Sequence, residues 1–338
     1  MKTLAICDTN KEYMLRLKKR LDLKGGFPFE VITYDNLDIF FKRINQKMPD
    51  IALIEEKLIC DYFHLADFTA KEKIILIALT EDELMKNTEN EEVPEIPCIN
   101  RYQSAESIKN QMLQMVSDKI CDYSGKKSLP HGKNTEILGF YSPVKRVMQT
   151  EVALTMGHVL KDDGRCLYLD FDAFPQDIEN DEGYEEVTKN IADLVFAASN
   201  NTGNLILKLE SMKKDYMGTD YVCGVSDYRD ITESEIQDWI ELINRLEEIK
   251  IYDYILLNIS DNLPGFMNIL KKCSKIYTIF DNNKKSQKTI KQYQENLQSE
   301  NMKEVYSKSK FIVIPENFCR INKQGSTADL ERFVHGLL

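Results

Sequence analysis

Residues Ile137 to Phe174, ILGFYSPVKRVMQTEVALTMGHVLKDDGRCLYLDFDAF, decide the fold of the second half of the chain. The apolar run Ile137 to Tyr141 reads as a strand and breaks at Ser142 and Pro143. A helix is expected from about Thr150, and Arg165 to Leu169 returns as a second strand that ends in acids. Strand, loop, helix, strand is the layout of a parallel crossover unit. A loop in that position grips phosphate when glycines let backbone N–H groups curl around the oxygens, a lysine reaches them, and a Ser or Thr holds Mg²⁺. Most of those residue types are missing here.

The stretch resembles the deviant P-loop of the MinD/ParA family of ATPases, whose loop reads KGGxGKT. Laid on that pattern, Val144 stands for the dimer-bridging lysine, Lys145 and Arg146 for two glycines, and Met148 for the third. Gln149 takes the place of the phosphate-binding lysine, Thr150 matches the Mg²⁺ ligand, and Glu151 follows where a second Thr or Ser is usual. A β-carbon where the loop needs positive φ costs about 1 kcal/mol or more at each position. Several such losses should abolish the ordinary phosphate cradle. In LYLDFDAF, Asp170 and Asp172 match the family's acidic motif, which the resemblance implies orients water and Mg²⁺, with Thr150 and Asp172 as metal ligands. YDYILLNIS, Tyr252 to Ser260, resembles the Walker B strand with Asn258 in place of the acid. An amide accepts a hydrogen bond but lacks the charge that favours the ion. The resemblance implies ATP and Mg²⁺ as cofactors if the loop still grips phosphate, and none if it does not.

At 338 residues the chain suggests two domains, each large enough to bury a core. No apolar run approaches a membrane span and the start lacks a signal peptide's apolar core, so a cytoplasmic protein is expected. Eight scattered cysteines form no C-x-x-C pair and read as reduced core thiols. A net charge of −11 argues against nucleic acid as a partner. The acids cluster in Thr80 to Glu95 and Asp177 to Glu186, which read as solvated segments. The four histidines have no metal-ligand spacing, and no nucleophile-elbow pattern occurs.

In residues 1–121, TLAIC, FEVITY, DIALIE and KIILIAL are strand candidates, with a weaker fifth at Ile96 to Ile99. Asn10 is placed to cap a helix carrying Met14, Leu17 and Leu21 on one face. Alternation of strands and helices predicts a doubly wound parallel sheet of flavodoxin-like type, with its site at the carboxyl ends of the strands. Those ends resemble response-regulator receiver domains: Asp8 followed by Thr9, Glu55 at the phospho-acceptor position, Thr80 ending strand four and Arg101 ending strand five. Glu55 is one methylene too long and half the acidic pair is gone, so the domain is expected to be receiver-shaped without taking phosphate. Glu55 either pairs with Arg101 and locks one conformation, or is an exposed strand-end acid.

Residues 122–135, rich in Gly, Lys, Ser and Pro, read as a linker. Residues 136–338 then form a second α/β domain with the P-loop-like unit. Further strands are expected near Leu205 to Leu209, Tyr221 to Gly224, Tyr252 to Ile259, Lys275 to Phe280 and Lys310 to Pro315. A helix is expected to start from a capping box at Thr232 and Glu235, with Trp239 in its apolar stripe. The last helix, STADLERFVHGLL, is acidic for a membrane anchor and is expected to pack on its own domain.

A receiver-like half followed by a MinD/ParA-like half resembles the CpaE/TadZ family in order and length. That resemblance implies a positioning or assembly role for pilus or secretion machinery, at a pole or at the membrane through partners. Two readings stay open. One is a non-hydrolysing platform with protein partners and a homodimer held without bridging nucleotide. The other is a slow ATPase in which Lys145 or Arg146 supplies phosphate charge and Asp170 and Asp172 position water. A phosphorylation-switched module ranks below both, because of Glu55.

Overall fold

The computed structural model describes residues 2–23, 27–44, 47–66, 73–81, 96–117, 134–144, 148–176, 178, 189–201, 204–315, 318 and 327–338. The chain divides into two compact units, Met1–Lys126 with Gly203–Ser211, and Lys127–Thr202 with Met212–Leu338.

The first unit carries β1 (Thr3–Cys7), β2 (Glu30–Tyr34), β3 (Ile51–Glu55), β4 (Ile75–Thr80) and β5 (Cys98–Asn100). They pair in parallel in the order β2-β1-β3-β4-β5. This is the flavodoxin-like order expected from the alternation of apolar runs and helices. Every residue of β1 and β3 is buried, which is why these strands read as continuous apolar runs rather than alternating ones. The Asn10 side chain accepts the Tyr13 N–H at 3.0 Å, starting the helix Lys11–Leu23 whose Met14, Leu17 and Leu21 are buried.

Leu205 to Leu209, expected as a strand of the second domain, is instead part of the helix Leu205–Met212, and residues 203–211 belong to the first unit. The run LILKL satisfies either periodicity. The Asn204 side chain decides it, accepting the N–H groups of Ile206 at 3.1 Å and Leu207 at 3.2 Å as an N-cap. The Asn204 N–H in turn donates to Ser117 O at 2.8 Å. Of the linker expected at residues 122–135, residues 122–133 lie outside the described residues, as do most of both acidic clusters.

The second unit carries β6 (Glu136–Tyr141), β7 (Cys166–Phe171), β8 (Lys214–Tyr216), β9 (Thr219–Val222), β10 (Tyr254–Ile259), β11 (Lys275–Asp281) and β12 (Ser309–Ile314). Their order is β12-β11-β6-β10-β7-β9-β8. All neighbours are parallel except β8, which the sequence reading missed and which forms a hairpin with β9. Its two-residue turn holds Met217 at φ 54° and Gly218 at φ 90°, the left-handed pair a tight hairpin needs.

The expected capping box at Thr232 does not form. Thr232 closes the short helix Arg229–Thr232, and Glu235 precedes the helix Ile236–Ile249 without a side-chain cap. Trp239 is fully buried as expected, edge-on to Phe171 at 4.7 Å, with its N–H on Ser234 Oγ at 2.8 Å. The last helix, Thr327–His335, packs on its own unit. Leu330 and Val334, with Leu337 just after it, join one core with Val152, Met156 and Leu160. Among the described residues no helix is long and apolar enough to cross a membrane.

Candidate functional site

The parallel register places Asn258 of β10 beside Phe140 of β6 on one side and Asp170 of β7 on the other. The helix Gln149–Leu160 starts above this edge. Its entry residue, Met148, holds φ 49° in the left-handed region, a conformation natural to glycine that strains a residue with a β-carbon. The Met148 side chain packs against the core.

Gln149 turns inward. Its Nε2 donates to Asn258 Oδ1 at 2.6 Å, Phe140 O at 2.9 Å and Ile259 O at 3.0 Å. A primary amide has two N–H groups, so three acceptors share them. Asn258 Nδ2 then donates to Asp170 Oδ1 at 3.0 Å and reaches Thr150 Oγ at 3.4 Å. Asp170 also accepts the Tyr168 hydroxyl at 3.0 Å and the Asp172 N–H at 3.0 Å. Gln149, Asn258, Asp170, Tyr168 and Thr150 therefore form one connected network at the ends of three adjacent strands.

Asp170 is 2% exposed. Burial pushes its carboxyl up to about 7, against the opposing effect of its bonds from Tyr168, Asn258 and the Asp172 N–H. Burial, then the neighbouring Asp170, likewise pushes the Tyr168 hydroxyl well above its ordinary range. The network thus holds a carboxyl close to half protonated at neutral pH. Asp172 stands apart, half-buried, with Oδ1 accepting the Phe174 N–H at 3.2 Å and Asn262 Nδ2 at 3.3 Å. Glu151 is half-buried on the helix and makes none of the network's hydrogen bonds. Lys145 and Arg146 lie outside the described residues.

These side chains do not fit ATP with Mg²⁺ as they stand. The helix start presents a neutral amide with its hydrogens already engaged. The strand-end position on β10 is also an amide, and the carboxyl beside it is buried. Among the described residues no three His, Cys, Asp or Glu side chains converge as a metal site.

In the first unit the structure joins Asp8, Glu55 and Arg101 through their side chains, and Thr80 adjoins them through its carbonyl, which accepts the Arg101 N–H at 2.8 Å. Arg101 Nη2 lies 3.1 Å from Asp8 Oδ2 and donates to Asp8 Oδ1 at 3.2 Å, while Nη1 donates to Glu55 Oε1 at 3.3 Å. Glu55 Oε2 accepts the Thr9 N–H at 2.9 Å and the Thr9 hydroxyl at 2.6 Å. Asp8, Glu55 and Arg101 are all buried, so of the two open readings of Glu55 the exposed acid does not hold. Thr80, at the end of β4, is buried with its hydroxyl on Ile99 O at 3.4 Å. Burial alone would raise Glu55, but the two Thr9 bonds and the Arg101 charge outweigh it and hold the carboxyl below its usual range. Burial raises Asp8 despite Arg101.

Tyr13 and Tyr168 are site residues the sequence reading missed. Tyr13 stacks under Arg101, 4.6 Å from ring centre to Cζ, and donates to Arg101 O at 3.0 Å. For Tyr168 a signal exists: it sits two residues before Asp170 on one strand, hence on the same face.

No family model matches the chain. No curated protein matches it either. Among solved structures it is similar to a ParA family ATPase from Chlorobium tepidum TLS, at 17% identity and TM-score 0.44, covering 60% of this chain and 81% of that one. It is also similar to a Cyanothece McdA(D38A)–ATP complex, at 13% identity and TM-score 0.41, covering 54% and 71%. A third is cobyrinic acid a,c-diamide synthase from Mycobacterium smegmatis with a bound ATP analog and magnesium, at 12% and 0.40, covering 60% and 80%. Likenesses of this size carry no weight for function, and the fold stands on the strand order and register above.

The buried acid gives a pH signature. Its pKa in the folded chain, about 7, lies above the ordinary 3.8, so the folded state holds a proton that the unfolded state has released between those values. Stability from this group is fully present below about pH 4 and is lost as pH rises through about 7, a span of about 4 kcal/mol. Asp170→Asn keeps the shape of the protonated acid and cannot ionise. The variant is expected to match the parent in acid and to exceed it in urea stability above pH 7. Parallel pH profiles for the two proteins would refute a buried, proton-holding Asp170.

Proposed function

We propose that this chain is a cytoplasmic localisation or assembly factor of the CpaE/TadZ type. In this reading its second unit is a MinD/ParA-type P-loop fold that no longer hydrolyses ATP and serves as a docking platform for protein partners of pilus or secretion machinery. One observation carries the reading: the Gln149 amide is bonded to Phe140 O, Asn258 and Ile259 O, where a phosphate-binding lysine would have to be free. The site's polar groups satisfy one another, so a bound phosphate would have to break several buried hydrogen bonds before gaining any. The first unit supports the same reading. Its strand-end carboxylates already hold Arg101 as their cation, which suits a fixed shape better than a phosphorylation switch. A homodimer of such a protein rests on protein contacts, since Val144 stands where the family's bridging lysine would be.

The test is equilibrium binding of labelled ATP to the full chain with and without Mg²⁺, with phosphate release and solution mass measured on the same samples. No Mg²⁺-dependent binding at millimolar ATP and no turnover above background are expected, with the mass unchanged by nucleotide. Micromolar, Mg²⁺-dependent binding would put the slow ATPase reading first and assign phosphate charge to Lys145 or Arg146.

A further inference from the structure

The helix Lys284–Leu297 follows β11 and buries Ser286, Ile290, Tyr293 and Leu297. Lys284, Lys285, Lys288 and Lys291 are all exposed, and at 3.6 residues per turn they fall within about a third of the circumference, opposite that buried face. None of the four forms an ion pair with a described residue. Glu295, the one acid in the helix, is exposed on the same face one turn beyond Lys291, so the face carries four lysines against one acid.

Two features say that these lysines do not serve the helix itself. The first turn contains no acid, and cations at the positive end of a helix oppose its macrodipole. The start is fixed without them, because the Asn283 side chain accepts the N–H groups of Lys285 at 3.0 Å and Ser286 at 2.9 Å. The result is a local concentration of positive charge on a chain whose net charge is −11.

We propose that this face docks a short acidic segment of a protein partner. Lys284 and Lys291 are about 10 Å apart along the axis, the length of three to four residues of extended chain. A short segment stays within the screening length of about 8 Å at physiological salt, so it meets the lysines without meeting the field of the whole acidic chain. Duplex DNA or an anionic bilayer extends far enough to be repelled by that field. A bilayer would also want an apolar side chain to insert, and no large apolar residue is exposed on this helix. The face is distinct from the Gln149 network, so failure of the ATP titration and failure of peptide binding are separable.

The experiment measures fluorescence anisotropy of a labelled oligoglutamate peptide titrated with the full chain. The comparison is with Lys284→Glu/Lys288→Glu/Lys291→Glu, whose new acids suit the helix start. If far-UV circular dichroism shows that this variant fails to fold, Lys284→Gln/Lys288→Gln/Lys291→Gln replaces it. Binding that weakens with salt and is at least about tenfold weaker in the variant is expected. Equal binding by the variant, no peptide binding by the parent, or lysine-dependent preference for duplex DNA or phosphatidylserine vesicles overturns the proposal.

Discussion

Asn258→Asp is expected to destabilise the second unit by about 2–4 kcal/mol at neutral pH. The Asn258 side chain works in two directions, accepting from Gln149 at 2.6 Å and donating to Asp170 at 3.0 Å. A carboxylate keeps the first bond and turns the second into two acidic oxygens facing each other in a buried place. The two carboxyls would share a proton, and the cost should shrink as the pH falls and both become neutral. Adding Gln149→Lys places an ammonium against the new carboxylate and should recover about half of the loss. Restoring both residue types together therefore disturbs the fold less than restoring the acid alone. The single tryptophan, Trp239, packs on Phe171 one residue from Asp170, so its fluorescence in urea follows this unit directly. A stable single variant, or a double variant no better than the single, would show that the amide network is not coupled.

Arg101→Met is expected to cost the first unit about 3–5 kcal/mol, the range for breaking a buried ion pair by removing one partner. Methionine fills much of the arginine's volume, so the loss is one of charge. Asp8 and Glu55 would be left buried without a counter-ion, where Arg101 now lies within 3.3 Å of both. The cation–π contact with Tyr13 is lost as well. Adding Asp8→Asn should recover part of the loss, since one of the two stranded charges disappears. Hydrogen exchange at the amides of β1 and β3 reads this unit without reference to the tryptophan. Unchanged protection in Arg101→Met would falsify the claim that the triad holds these strand ends together.

Apolar runs of five or six residues separated by helical stretches are a local property of the chain. That is why the five strands of the first sheet, the strand, helix and strand at Glu136–Tyr141, Gln149–Leu160 and Cys166–Phe171, and the strands at Tyr254–Ile259, Lys275–Asp281 and Ser309–Ile314 could all be read from sequence. The strand-end positions of Asp8, Glu55, Asp170 and Asn258 were legible for the same reason: a polar residue closing an apolar run must lie near the edge of a parallel sheet. Local pattern could not settle LILKL at Leu205, where burial and the Asn204 cap make a helix, nor the short β8, whose three residues pair only because β9 is there.

The chemistry of the two strand-end clusters depended on distance in space. Gln149 and Asn258 are 109 residues apart, and Arg101 and Asp8 are 93 apart. Sequence supplied which side chains were present and which expected ones were missing. Tertiary structure decided that the amide of Gln149 is already engaged, that Asp170 is buried deeply enough to hold its proton near neutrality, and that Arg101 sits between two carboxylates. The physical reason is that hydrogen-bond partners and desolvation are set by which strands lie side by side, and strand order follows from packing of the whole sheet rather than from any one segment.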